Sequence, residues 1–481
     1  MTLIAFVADD FTGATDALWQ FRRFGLSGSL VTDVAHLHDR DDVIGVATTA
    51  RASADPVAVA LPALRAVAAL GPLAVQYKIC STFDSSPAHG SIGAVIAALH
   101  REGLARRAVP VLAAQPEFGR YTVYGNHFVQ AGDEVVRLDR HPPARDHPVT
   151  PATEADLRVR LEEQGAGRTG LLPAGASEEA YRARSRDAAF IADASTEQHL
   201  RALGRLLLAD TAPGDVLFCA GSGGLSYALA SALTPHPTQS PAQSPAHPPA
   251  HPPAPPEAGP GSKAMPEAEA EPGSVVMAGL EAGPGPEAMA SPTEGPVARP
   301  TAKAGATAKA GAVLVVSGSR SPVTVRQIGA AERAGWTVVD VSAGQDAIVQ
   351  AEESLRAGCH TIVQSTRSPA RDPAGIGELL GRVAAASVRA GVVRRLVVAG
   401  GDTSGQVVAA LGARALDVIG ALTVGGPVCV LAADDPAFDG LEVALKGGQV
   451  GDDDYFLRAA TCHRPPVVTS PRPATSPLPA T

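Results

Sequence analysis

Aromatic residues are scarce in this chain. Phe, Trp and Tyr together make up 4% of 481 residues, against 45% hydrophobic residues overall. The cores must therefore be built from Ala, Val and Leu. Cysteine is sparse too, with Cys80, Cys219, Cys359, Cys429 and Cys462 scattered and no CxxC pair. That spacing excludes a disulfide framework and a zinc cluster, and it fits reduced thiols in the cytoplasm. No apolar run approaches the roughly 18 residues of a membrane span, so no membrane partner is expected. The amino terminus enters a strand directly, with no basic n-region, so no signal peptide is expected. Basic residues are not in excess. The formal net charge is −9, which argues against nucleic acid as a partner. No G-x-x-x-x-G-K-[ST] phosphate loop and no G-x-S-x-G elbow occurs. "CAGSGGLS" (219–226) comes near a dinucleotide fingerprint, but Ser226 stands where its last glycine belongs.

Glycine and proline, by contrast, are plentiful, at 49 and 41 residues. Many fall between 234 and 311, where short units such as "SPA", "HPPA" and "AKAGA" recur. Such a segment buries too little apolar surface to offset its ordering entropy. It is expected to be a disordered linker, with His236, His247 and His251 as bland members rather than a metal tract. The tail 464–481 reads the same way. Two folded blocks are left, 1–233 and 312–463. Such a length suits two cores better than one.

Both blocks alternate strand and helix patterns. In the first, "LIAFV", "VIGVATT" (43–49), "LAVQYKI" (73–79) and "VPVLAAQ" (109–115) are apolar runs separated by helical stretches. The expected fold is α/β, two domains, each a mainly parallel sheet flanked by helices. Ligands then sit beyond the carboxyl ends of strands. Asp9 and Asp10 close the first strand, Arg51 lies past the second, and Lys78, Ser81, Thr82 and Asp84 lie at the third. Arg51 and Lys78 can pair with a carboxylate or phosphate. The carboxylates can accept hydroxyl hydrogen bonds or take a proton. The bland reading of Asp9 or Asp10 is a helix cap. One acid would suffice for that, and here there are two.

In the second block "AVLVVSGSRSP" and "LVVAGGDTSG" run from strand through small residues into helix, the latter helix expected to begin near Gln406. Glycine-rich turns of this kind present backbone N–H groups to anions. Ser317, Ser319, Gly401, Asp402, Thr403 and Ser404 are the candidates, with Gly448 of a third loop, "LKGGQVG", behind Lys446. Together they suggest a nucleotide's phosphate chain.

The motifs "VADDFTGATDA", "YKICSTFDSS", "GRYTVYGNHFV", "HPVTP", "AGSGGLS", "VSGSRSPVT", "VVAGGDTSGQVV" and "LKGGQVGDDDYF" follow one another as in the four-carbon acid sugar kinase family, which the chain resembles over both blocks. The resemblance implies ATP-dependent phosphorylation of a 3-oxo-tetronate, threonate or erythronate type of acid, probed by two half-sites that close together. It puts Asp10, Arg51 and Lys78 on the sugar acid, and Ser317 or Ser319, the Gly401–Ser404 turn and Gly448 on ATP, with Mg²⁺ expected alongside. Metal-ligating residues are not assigned. Asp10 is the first choice and Asp84 the second for the group that accepts the hydroxyl proton. The fold also allows a homodimer. Two departures stand out. An Arg-Gly-Asn triplet common in the family is replaced by "SSPAHGS", and the last glycine loop lacks its usual serine. Two other readings stay open: an acid-sugar-binding protein without turnover, and a Rossmann-type oxidoreductase.

Overall fold

The computed structural model describes residues 2–211, 214–234, 311–367 and 373–462. Nearly all of the expected linker and the whole expected tail lie outside the described residues. The α/β expectation holds, and the sheets of the two blocks are continuous with one another in a 15-stranded sheet.

In the first block, eight strands run parallel in the order Gly28–Val31, Val43–Ala47, Ile4–Ala8, Ala74–Lys78, Leu217–Gly221, Val109–Leu112, Ala189–Ala192 and Thr169–Leu172. These strands are buried on both faces, which is why they read as unbroken apolar runs rather than alternating ones. Lys78 ends its strand in register with Ala8, and Ala8 pairs Ala47 on its other side. Asp9, Asp10, the Thr48–Arg51 turn and Lys78 therefore leave the sheet along one edge.

The helix Phe11–Arg22 follows the acid pair. Asp10 caps it, accepting from the Gly13 N–H at 2.7 Å. Its buried stripe includes Ala14, Ala17, Leu18 and Phe21. The Phe21 ring stacks over Phe6 of the first strand at 6.3 Å. Gly45 faces Phe6 across the sheet and leaves no room for a side chain there.

In the second block, Thr337–Asp340, Thr361–Gln364, Ala312–Ser317, Val393–Ala399 and Glu442–Lys446 run parallel. Ser317, Ala399 and Lys446 are level, so the three small-residue loops also share an edge. Two antiparallel strands, Gly426–Ala433 and Ala413–Thr423, complete the block. Ala413–Thr423 then pairs antiparallel with Gly28–Val31, through Ala415 with Val31 and Leu416 with Leu30. The Thr32 hydroxyl donates to the Ala413 carbonyl at 2.6 Å and extends this seam.

Chain direction thus reverses at each step across the two antiparallel strands. The parallel strands of the second block run opposite to those of the first. Six steps separate Ile4–Ala8 from Val393–Ala399, and a twist of about 20–25° per step accumulates to about 120–150°. That rotation turns the second block's carboxyl edge back toward the first's. The helix Phe11–Arg22 sits in the resulting crook and contacts both Ala413–Thr423 and the helix Gly401–Ala410.

A small antiparallel sheet, Arg120–Val123, Asn126–Ala131 and Glu134–Arg137, is inserted after Val109–Leu112. Its buried His127 bonds through Nε2 to the Ser81 carbonyl at 2.8 Å, tying the insertion to the Lys78 loop.

Candidate active site

The acid pair divides its work. Asp9 is 1% exposed and takes Arg51 in a bidentate pair, Nη2 to Oδ1 at 2.6 Å and Nε to Oδ2 at 3.1 Å. Asp10 spends Oδ1 on the helix cap and holds Arg51 Nη1 at 2.7 Å through Oδ2. Capping and charge pairing are therefore both present in Asp10. Burial pushes the Asp9 carboxyl up to about 6 against the pull of Arg51, and the adjacent Asp10 charge adds to the rise. Burial acts likewise on Asp10, but Arg51, Lys78, the Thr12 hydroxyl and the Gly13 N–H outweigh it and hold Asp10 below the usual carboxylate range.

Lys78 is 3% exposed, not a solvated surface charge. Its Nζ donates to the Ile79 carbonyl at 2.9 Å and lies 3.9 Å from Asp16 Oδ2. Gly13 is what lets these groups converge. A Cβ there would collide with Asp10 and lie 3.0 Å from Lys78 Nζ and 3.7 Å from Arg51 Nη2. Asp16 and Gln115, which the sequence reading did not single out, form the floor behind Lys78. The glycines of "GSGGLS" are explained here. Gly223 packs against Asp16 and Gln115, and Gly224 against the Ala114 carbonyl, so these glycines serve close packing.

The Lys78 loop continues past the site. Thr82 Oγ1 is 3.1 Å from Cys80 Sγ. Asp84 accepts from the Thr150 hydroxyl and lies 3.9 Å from His147 Nδ1. Ser81 contributes its carbonyl to His127. Between them Phe83 takes φ 54°, a left-handed conformation that costs a bulky residue about 1–2 kcal/mol. Its buried ring lies under the Arg160 guanidinium at 5.4 Å, which fixes the loop.

Across the crevice, the "GGDTSG" segment differs from expectation. The helix begins at Gly401, not near Gln406, so Asp402, Thr403 and Ser404 form its first turn. Weak helix formers are tolerated there because first-turn N–H groups have no partner inside the helix in any case. The backbone that only glycine adopts readily is at Gly400, φ 120°. Thr403 packs against Gly318, leaving no space for a Cβ at Gly318. Ser404 turns inward and donates to the Gly400 carbonyl at 2.7 Å. Ser317 is fully buried and bonds Thr366 Oγ1 at 3.1 Å. Ser319 is buried but less deeply than Ser317, is bonded to Thr324 Oγ1 at 3.1 Å, and a Cβ on Gly448 would come within 2.7 Å of Ser319 Oγ. Thr324 in turn donates to the Gly448 carbonyl at 2.9 Å and accepts from Lys446 Nζ at 3.3 Å.

The two edges meet. A Cβ on Gly401 would lie 3.0 Å from Asp10 Oδ2 and 3.9 Å from Arg51 Nη1. Asp402 is exposed at the mouth. Partial burial and the Asp10 and Asp84 charges raise its carboxyl, against Arg51. The site thus brings Asp9, Asp10, Arg51, Lys78, Gly401 and Asp402 together, with Ser319 and Gly448 in a neighbouring cradle. It leaves Ser317 and Ser404 inside the fold. Among the described residues no group of three or more His, Cys, Asp or Glu is arranged to hold a metal ion, and no helix is long and apolar enough to cross a membrane.

A cationic and carboxylate-lined edge thus faces a glycine-hydroxyl cradle. Residues 4–229 fit the family model of a sugar-binding N-terminal domain, and residues 314–456 that of a nucleotide-binding C-terminal domain. A Paraburkholderia graminis 3-oxo-isoapionate kinase is 32% identical, with 94% of this chain and 93% of the relative covered. A Methylobacterium radiotolerans 3-oxo-tetronate kinase is also 32% identical, over 94% of this chain and 97% of that one. The crystal structure of a Salmonella typhimurium LT2 protein shares the fold at TM-score 0.66 and 23% identity, covering 95% of this chain and 99% of its own. The chain belongs to the four-carbon acid sugar kinase family and is a phosphotransferase with an alcohol group as acceptor.

Proposed function

We propose that this enzyme transfers the terminal phosphoryl group of ATP to a hydroxyl of a four-carbon sugar acid of the 3-oxo-tetronate type, or of a closely related branched acid. The observation that carries the reading is the apposition of Asp10 and Arg51 to the start of the Gly401 helix, with Lys78 converging on the same two residues at Gly13. A sugar acid's carboxylate needs fixed cations, and Lys78 is the less committed of the two, with no carboxylate closer than 3.9 Å among the described residues. Arg51 has its donors shared between Asp9 and Asp10, so it serves to fix both acids as much as to meet the ligand.

The glycine cradle suits a phosphate chain. Gly401 and Gly448 keep backbone open where side chains would intrude, and the first-turn N–H groups of the Gly401 helix favour negative charge. ATP supplies the group transferred. In the transfer, the bond from the terminal phosphorus to the bridging oxygen breaks, a bond to the sugar hydroxyl oxygen forms, and ADP leaves. Asp10 accepts the hydroxyl proton, with Asp84 the second candidate. A carboxylate held low is adequate, because proton removal comes late in a loose phosphoryl-transfer transition state and positioning dominates. Magnesium accompanying the nucleotide neutralises phosphate charge when bound. Asp402 is the exposed carboxylate at the helix start that suits a cation otherwise held by phosphates and water.

The test is ADP release measured across a panel of 3-oxo-tetronate, threonate, erythronate and branched sugar acids. Turnover with at least one is expected. Lys78→Ala should raise the KM for that acid by about 10- to 100-fold, the loss of one charged hydrogen bond, and leave nucleotide affinity unchanged. Acid binding without ADP release, or turnover of a nicotinamide cofactor, would refute the kinase reading.

A further inference from the structure

A cavity of about 510 Å³ lies between the small antiparallel insertion and the second block's loops. Arg120 and His141 line one wall, and Ser321, Pro322, Arg326 and Gln449 line the other. Arg120 pairs with no carboxylate among the described residues. Its Nη1 donates to the Phe118 carbonyl at 2.6 Å, its Nη2 reaches Gln449 Oε1 at only 3.5 Å, and its Nε is buried without a partner. His141 is 4% exposed, and its Nδ1 is likewise unpartnered. Arg326, on the far wall, is already paired with Asp453 at 2.9 Å. A half-buried guanidinium with its Nε enclosed and unpartnered and no counter-charge beside it is suited to an anion that joins it. Burial first, then the Arg120 charge, push His141 down to about 4, so near neutral pH Arg120 is the uncompensated cation of this cavity.

Arg120 also spans the two half-sites. It is within electrostatic reach of Cys80, on the loop that follows Lys78, as is Arg51. On its other side it touches Gln449 of the last glycine loop. We propose that Arg120 is an arginine supplied by the sugar-binding half to the terminal phosphate of the nucleotide held by the other half, and that it neutralises charge on the phosphoryl group in transfer. This rests on the kinase reading above. The neutral His141 ring beside it adds polar contact without competing charge.

Calorimetry on the full chain, without sugar acid, decides the matter. Arg120→Met should bind the non-hydrolysable triphosphate analogue AMP-PNP about 10- to 50-fold more weakly, with ADP affinity changed less than about threefold. With sugar acid present, kcat should fall by about 10²- to 10³-fold while the sugar-acid KM stays within about threefold. Arg120→Lys keeps a cation that can reach the Phe118 carbonyl but not the planar fork, and should fall between; it carries the comparison if Arg120→Met melts early. Equal loss of both nucleotides, a rise confined to the sugar-acid KM, or no change would each overturn the assignment. If the wild type releases no ADP with any acid, the kinase reading fails, yet the AMP-PNP and ADP affinities still decide what Arg120 binds.

Discussion

Lys446 shows most clearly what a single residue can cost here. It is fully buried, and its amine meets only the Thr324 hydroxyl and the faces of Tyr455 and Phe456, 5.6 and 5.9 Å away. No carboxylate answers it among the described residues, and burial pushes its amine down from 10.5 to about 7. The unfolded chain therefore keeps a proton that the folded chain gives up. Stability from this residue is present above pH 10.5 and is lost as pH falls toward about 7. Lys446→Met should be stabilised relative to wild type, and the gap should widen by about 2–4 kcal/mol between pH of about 10 and about 7. Urea melts at the two pH values measure this; a constant gap would contradict it. The residue sits behind the Thr324–Ser319 hydroxyls of the cradle, so phosphate arriving there should draw a proton onto it. Binding heats of ADP near neutral pH should then depend on the buffer's ionisation enthalpy.

Elements were legible to different depths. The first strand, its closing acids, Arg51 and Lys78 could be read because local sequence encodes them: an apolar run ending in charge marks a strand's carboxyl end. Asp16 could not be read as the partner of Lys78, since it looks like any polar helix residue and its neighbours Lys78 and Gln115 come from distant parts of the chain. Arg120 and His141 were hidden for the same reason, inside an insertion with no strong period. The start of the Gly401 helix was misjudged because Gly, Asp, Thr and Ser have low intrinsic helix propensity. Their place in the first turn costs little because its N–H groups have no partner inside the helix, and the Asp10 carboxylate stands beside Gly401. This division of roles is testable. Gly400→Ala should cost about 1–3 kcal/mol through backbone strain at φ 120°. Gly401→Val should leave stability closer to wild type, because its backbone is helical, but push against Asp10 and weaken nucleotide binding at least tenfold. Thermal melts and calorimetry on both variants separate the effects; equal destabilisation with intact nucleotide affinity would show that Gly401 is only a packing residue.

At the scale of the molecule, the two blocks are not beads on a string. The Leu30–Val31 and Leu416–Ala415 pairing makes the sheet continuous, and helix Phe11–Arg22 packs on elements of both blocks. Sequence could not disclose this seam, whose residues lie almost the full chain apart. Calorimetric unfolding should show one cooperative transition, both in the full chain and after replacement of 236–309 by a short Gly/Ser segment; two separated transitions would contradict the shared sheet.

The antiparallel pair Gly426–Ala433 and Ala413–Thr423 carries a consequence for how such a protein can change over evolutionary time or in a designer's hands. The number of strands between the two half-sites behaves like a gear setting. Removing one would reverse the polarity of every strand beyond it and send the glycine loops to the far side of the sheet. Inserting a hairpin would keep polarity but rotate the second block by a further 40–50° or so, swinging the cradle past Asp10. Variation is therefore free at the sheet's two outer edges and in the connection between blocks, while the strand count from Ile4–Ala8 to Val393–Ala399 is locked by the need for a donor and an acceptor to face each other.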